Sequence, residues 1–196
     1  MPLRRSAFCL HSQDFEGNLA RIRRSIAQAK TAGSRYRLGP ELEVTGYLCE
    51  DHFLEQDTFN HAWECLAELI KDGSTNDILC DIGMPVMYKS ARYNCRVFVL
   101  DGRILLIRPK ILMADDGNYR EGRYFTAWTA QNAADAGVSG FDADGFVLPP
   151  LIAKATGQST APFGVAILDC ADASIGSETC EEMFSPCSPH IQVRTI

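Results

Sequence analysis

Cys180 lies in a small, polar, acidic stretch, Ile175-Gly176-Ser177-Glu178-Thr179-Cys180-Glu181-Glu182, and two segments far upstream carry the groups that a cysteine nucleophile needs. Gly39-Pro40-Glu41-Leu42-Glu43 offers a carboxylate, and Ile107-Arg108-Pro109-Lys110 offers a fixed cation. The chemistry that uses all three is attack on a carbon-nitrogen bond. An amide is a poor electrophile, so its cleavage needs a nucleophile, a group that takes and returns a proton, and positive charge where the oxyanion forms. A free thiol, with a pKa of about 8.5, is only slightly ionised at neutral pH. Glu41, desolvated beside Cys180, would accept the thiol proton and pass it to the leaving ammonia. The Lys110 ammonium and the backbone N–H after the nucleophile would bind the oxyanion. Taken alone, Cys180 also reads as a small buried core thiol; the matching Glu41 and Lys110 segments favour the nucleophile.

Only a fold can bring these residues together, and the pattern that must do so is mixed α and β. Leu19, Ile22, Ile26 and Ala29 recur at helical spacing from Gly17 to Lys30, and Thr31-Ala32-Gly33 supplies a stop with a glycine suited to a left-handed cap. Tyr36 to Leu38 reads as a short strand feeding Glu41. His61 to Lys71 reads as a second helix with Ala62, Leu66 and Leu69 inward, and Ile78 to Val86 as a buried strand. Arg92 to Leu100 and Arg103 to Arg108 are strands joined by Asp101-Gly102, a two-residue hairpin signal, which places Lys110 at a rigid strand end. Ala127 to Ala161, rich in Ala, Gly, Asp and Ser, reads as a variable excursion with one short strand near Phe146 to Leu148. Val165 to Leu168 is expected to resume the sheet, and Ala173 to Gly176 to lead into the nucleophile turn.

Further runs share a pattern with the three segments: Arg35-Tyr36-Arg37-Leu38, Gly46-Tyr47, Asp51-His52, Asp81-Ile82-Gly83-Met84-Pro85-Val86, Arg92-Tyr93-Asn94-Cys95-Arg96-Val97 and Gly117-Asn118-Tyr119-Arg120-Glu121. From about Asp14 to about His190 the chain resembles the nitrilase, or carbon-nitrogen hydrolase, superfamily. Within it, the chain resembles the amino-terminal glutaminase domains of eukaryotic glutamine-dependent NAD synthetases. The resemblance implies an αββα sandwich, with Glu41 as general base, Lys110 as oxyanion-stabilising cation and Cys180 as the nucleophile that forms a glutamyl thioester. It also implies a second carboxylate near the lysine at Glu121, a tyrosine close to the glutamine pocket at Tyr119, and a contribution from Glu181 through its backbone N–H. Lys110→Met is expected to slow the reaction while leaving the fold nearly intact.

A complete domain of this kind is longer, and the full enzymes continue into an ATP-dependent synthetase domain with a Ser-Gly-Gly-x-Asp-Ser loop, which does not occur here. Residues 1–196 are therefore expected to form a partial carbon-nitrogen hydrolase domain, an incomplete αββα sandwich of the α/β (α+β) class. Met1 to Leu10 only partly matches the family's first strand, and the pattern departs after Ile191. The isolated chain is expected to be inactive and poorly folded. The resemblance implies no cofactor and no metal for glutamine hydrolysis, and ATP with magnesium in the synthetase domain. The implied partners are glutamine, that domain and further copies of the same subunit. A stand-alone amidase and a non-catalytic interaction fragment are the alternative readings.

Composition agrees with one globular domain: 46% of residues are hydrophobic and the net charge is −6. An acidic chain without a Lys/Arg block argues against nucleic acid or an anionic membrane surface as the main partner. Arg21, Arg23, Arg24 and Lys30 read as the solvated face of a helix. No stretch approaches the roughly 20 apolar residues of a membrane span, and the basic start lacks an apolar signal core, so a soluble, cytoplasmic protein is expected. The eight cysteines are scattered without metal-type spacing and read as reduced thiols, with Cys65, Cys80 and Cys95 in the core and no role assigned to Cys170 or Cys187. His52 and His61 read as surface or capping residues and Trp63 and Trp128 as packing residues; His190 is uninformative. Glu43, Glu181 and Glu182 read as solvated acids.

Overall fold

The structure is a computed structural model that describes residues 10–186 and 188–193. Cys9, Cys187 and residues 1–9 and 194–196, with the readings made on them, lie outside the described residues. Helix α1 (Phe15–Thr31) starts where the Asp14 carboxylate accepts the Gly17 N–H at 3.1 Å and buries Leu19, Ile22 and Ile26. It is followed by Gly33 at φ +72°, the left-handed stop expected there. Strand β1 (Tyr36–Leu38) leads to a 3-10 turn at Glu50–Leu54 and helix α2 (Gln56–Lys71), which begins before the expected His61. Strands β2 (Leu79–Tyr88), β3 (Ala91–Leu100) and β4 (Arg103–Pro109) follow as an antiparallel meander. Asp101 and Gly102 both take positive φ between β3 and β4, the geometry of a type I′ hairpin turn.

Beyond β4 come α3 (Glu121–Tyr124), α4 (Ala130–Asp135), β5 (Phe141–Val147), α5 (Pro150–Thr156) and β6 (Thr160–Gly164). The chain then forms β7 (Leu168–Asp169) and β8 (Ser174–Ile175), a 3-10 turn at Cys180–Met183 and α6 (Pro189–Val193). The main sheet has six strands in the order β1-β2-β3-β4-β6-β5, and β7 pairs with β8 apart from it.

Two expectations fail here. The excursion at Ala127 to Ala161 holds two capped helices and an edge strand longer than the one anticipated. Val165 to Leu168 does not resume the sheet, because β6 has already done so and Leu168 pairs only with Ile175.

Strand alternation sorts the sheet into two unlike faces. Cys80, Ile82, Met84 and Val86 of β2 and Tyr93, Cys95, Val97 and Val99 of β3 join one apolar core with the buried stripes of α1 and α2, with Ala133 of α4 and with Ile152 of α5. Cys65, Trp63 and Trp128 belong to this core, as the packing reading held. Burial pushes the thiols of Cys65 and Cys80 up to about 11 and about 12, which keeps them protonated and inert. On the opposite face Leu79, Phe98 and Leu106 form a small apolar cluster against Leu168 and Ile175. One step along the strands the same face turns ionic, with Asp81, Arg96 and Arg108, and one step further it reaches Asn94 and Lys110. The mixed α/β class holds, with helices on one face of a central sheet and the polar residues of interest on the other.

Glu43 and Glu182 are corrections, since both are fully buried rather than solvated. Glu43 accepts a bidentate pair from Arg37 at 2.6 and 2.7 Å, and Arg37 Nε donates to the Ser25 hydroxyl on α1. A Cβ at Gly39 would fall 1.8 Å from the Glu43 carboxylate, so glycine is required beside this pair. Glu43→Ala leaves a buried guanidinium without its counter-charge and is expected to cost about 3–5 kcal/mol, measured by denaturant unfolding. A loss under about 1 kcal/mol would show that Arg37 reaches solvent or another acid. The basic stripe of α1 is partly solvated, as expected, but also paired: Arg21 bonds Asp14, and Arg23 reaches Glu68 of α2 and Asp72 at its C-terminal cap.

Candidate active site

Glu41 follows β1 in a tight turn laid across the polar face of β2. The turn fits because Gly83 has no side chain: a Cβ there would lie 2.4 Å from the Pro40 carbonyl oxygen and 2.6 Å from the Leu42 nitrogen. Arg96 holds the turn from below, donating to the carbonyl oxygens of Gly39 at 2.6 Å and Pro40 at 2.9 Å, while Asp81 accepts from Arg96 Nε at 2.7 Å. Leu42, fully buried at φ +47°, carries backbone strain that this packing sustains. Lys110, just beyond β4, is fixed by its own backbone, with its N–H on the Asn94 carbonyl at 2.8 Å and its carbonyl receiving the Trp128 N–H at 2.9 Å.

The side chains converge. Lys110 Nζ donates to Glu41 Oε1 at 2.7 Å and to both oxygens of Glu121 at 2.9 and 2.7 Å, and is 1% exposed. Glu41 Oε1 also accepts from Asn94 Nδ2 at 2.7 Å. Glu121, on the first turn of α3, further accepts the Tyr47 hydroxyl at 2.8 Å and the Ala114 N–H at 2.7 Å. Two carboxylates thus enclose one ammonium and use all of its N–H groups.

Burial raises the Glu41 carboxyl above its ordinary value, with the Lys110 charge and hydrogen bond pulling the other way. Burial also works against the Lys110 ammonium, but Glu41 and Glu121 outweigh it and hold its pKa above that of a free lysine.

Cys180 lies in the field of this cluster. Burial raises its thiol pKa, Glu41 and Glu121 raise it further, and Lys110 and the Glu181 backbone N–H oppose them. The residue is half-buried and sits at φ +49° at the start of its 3-10 turn, a left-handed conformation unusual outside glycine. Glu181 meets the Cys180 thiol through its backbone N–H. Tyr119 stands further out, 52% exposed and edge-on to the Tyr47 ring. Both tyrosines line a pocket of about 420 Å³ with Leu42, Phe53, Arg120 and Glu121, which opens beside the cluster rather than over Cys180.

The sequence reading left Asn94, Tyr47, Arg96 and Glu182 without roles, although each lies within a segment it quoted. Period-two alternation would have placed Asn94 and Arg96 on the face of Lys110 once β3 and β4 were paired. Among the described residues, no group of His, Cys, Asp and Glu could hold a metal ion, and no helix is long and apolar enough to cross a membrane. His52 and His61 are exposed and face acids of their own helical turns.

Residues 6–194 match the model of the carbon-nitrogen hydrolase family. The chain is 52% identical over 196 residues to a glutamine-dependent NAD(+) synthetase of Oryza sativa subsp. indica, a match covering 98% of this chain and 25% of the relative. A crystal structure of a glutamine-dependent NAD(+) synthetase from Cytophaga hutchinsonii superposes with a TM-score of 0.73 at 30% identity, covering 88% of this chain and 26% of that one. The synthetase of Acinetobacter baumannii in complex with ADP shares the fold, with a TM-score of 0.73 at 19% identity, covering 96% of this chain and 29% of that one. The chain spans about a quarter of the length of these relatives.

Proposed function

This chain belongs to the carbon-nitrogen hydrolase family, and from that premise we propose that it carries the glutamine-hydrolysing centre of an NAD synthetase, with Cys180 as nucleophile, Glu41 as general base and Lys110 as oxyanion-stabilising cation. The observation that supports this reading best is the Lys110 ammonium bridging Glu41 and Glu121 at 2.7 to 2.9 Å, with Cys180 held in the field of all three.

Charge bookkeeping suggests the order of events. With Cys180 protonated, one ammonium faces two carboxylates, so a preformed thiolate would add a second uncompensated negative charge. The raised thiol and raised Glu41 instead favour proton transfer from Sγ to Glu41 as sulfur attacks the carboxamide carbon of glutamine. Neutralising Glu41 weakens its bond to Lys110 and frees an ammonium N–H for the oxyanion, beside the Glu181 N–H. The proton on Glu41 then passes to the leaving nitrogen, ammonia departs, and a glutamyl thioester remains on Cys180. Glu41, again a carboxylate, takes a proton from water as it attacks the thioester; the C–S bond then breaks, the proton returns from Glu41 to the Cys180 sulfur, and glutamate leaves. Glu121 holds Lys110 throughout. Tyr47 and Tyr119 border the pocket that would receive the rest of the substrate.

On the strength of the resemblance, the ammonia serves ATP- and magnesium-dependent conversion of deamido-NAD to NAD in a synthetase domain of a cytoplasmic homo-oligomer. ATP and magnesium belong to that domain, and no step here runs through them. The test, in a chain extended to the length of its relatives, is release of glutamate and ammonia in equal amounts from glutamine. Its kcat/KM should fall with acid along a limb that inflects above the ordinary glutamate value of about 4.3, because Glu41 must be ionised to act and its pKa is raised. Activity that persists undiminished below pH 4.3 would remove Glu41 as the base.

A further inference from the structure

We propose that Glu182 is a positioning residue that holds Cys180 in register with Lys110, an inference that rests on the amide-hydrolysing reading above. The Glu182 carboxylate is 0% exposed and ties three parts of the chain together. Its Oε1 accepts the N–H of Ile111, the residue after Lys110, at 2.6 Å. Its Oε2 accepts the N–H of Thr179, the residue before Cys180, at 2.7 Å. Arg108 Nη1 donates to both oxygens at 2.7 and 2.6 Å. The Thr179 side chain returns the contact by accepting the Glu182 N–H, closing a capping box around Cys180.

One planar group therefore fixes the separation between the backbone that presents the cation and the backbone that presents the thiol. Arg108 anchors that group to β4, where strand pairing with β3 makes the base rigid. The tie matters because Cys180 sits at φ +49°, a conformation that a cysteine does not hold unaided. Glu182 touches none of the reacting atoms; it acts through the two segments it joins. A carboxylate is required because each oxygen serves a different N–H. Glutamine has one acceptor oxygen, so its amide nitrogen would confront either Ile111 or Thr179.

The test compares wild type with Glu182→Gln and with the double variant Arg108→Met/Glu182→Met, which removes both buried charges together so that neither is left unpaired. Iodoacetamide alkylation of each cysteine is followed across pH by peptide mass spectrometry, with exposed Cys170 as an internal reference. In wild type the Cys180 profile should differ from that of Cys170. In both variants it should merge with the Cys170 profile, while kcat per active site falls roughly 10- to 100-fold and KM for glutamine stays within about threefold. An unchanged Cys180 profile, or unchanged kcat per active site, in either variant that unfolds cooperatively would overturn the proposal. So would loss of cooperative unfolding in both, since the tie would then serve the fold. All arms use a chain extended to the length of its relatives; if that wild type releases no glutamate yet the profiles merge as stated, the glutaminase reading fails and the positioning role stands.

Discussion

In a chain extended to the length of its relatives, replacing Cys180 with alanine is expected to lower glutamate release from glutamine by on the order of 10,000-fold or more, the scale on which a covalent hydrolase depends on its nucleophile. Labelling at residue 180 by a glutamine-like electrophile should vanish with it. Stability should change little, because Cys180 is half-buried and the Glu182 contacts with Thr179, Ile111 and Arg108 remain. Turnover at the wild-type rate would remove Cys180 from the reaction. A second thiol is not ready to replace it: Cys49, Cys65, Cys80 and Cys95 are buried, and Cys170 is exposed without contacts to the cluster among the described residues.

Lys110→Met is expected to reduce kcat by about 100- to 1,000-fold, the usual consequence of losing one oxyanion donor. The structure adds a cost in stability that overturns the expectation of a nearly intact fold. Methionine leaves Glu41 and Glu121 facing each other in a site where the ammonium was 1% exposed, and breaking a buried pair in this way costs about 3–5 kcal/mol before the carboxylates adjust. The adjustment is proton uptake. Without Lys110, the Glu41 pKa in the folded state rises further above its unfolded value, so the folded variant binds more protons than the unfolded chain between those two values. Its stability then falls as pH rises through that window. The deficit relative to wild type should be smaller near about pH 5 than near about pH 8 by chemical denaturation. A pH-independent deficit, or a wild-type rate, would place Lys110 outside the carboxylate cluster.

How much of this was readable depended on whether the deciding interaction was local. The Asp101-Gly102 turn, the α1 stripe and β1 follow from nearest-neighbour chemistry, and the structure has them where the pattern puts them. Helices α4 and α5 were missed for want of long apolar runs, although their ends were written in the sequence. Thr129 caps Asn132, Pro150 opens α5, and Gly157 closes it at φ +74°. Glu182 shows the opposite case. An acid between another acid and a methionine looks solvated, and its burial is made tolerable by Arg108, 74 residues upstream, and by the N–H groups of Ile111 and Thr179. Glu43 is similar, since its acceptance into the core depends on Arg37 and on the absence of a side chain at Gly39. Glu41, Lys110 and Glu121 were singled out by their local segments, but that one ammonium spans both carboxylates is a property of the sheet register.

The reaction proposed for Cys180 is covalent, and rapid acid quenching of the protein during reaction with glutamine, followed by peptide mass spectrometry, reads the covalent species itself. One glutamyl group, labile to hydroxylamine, is expected on the peptide that contains Cys180, formed no more slowly than turnover. Steady glutamate release with the glutamyl group on another residue would contradict it.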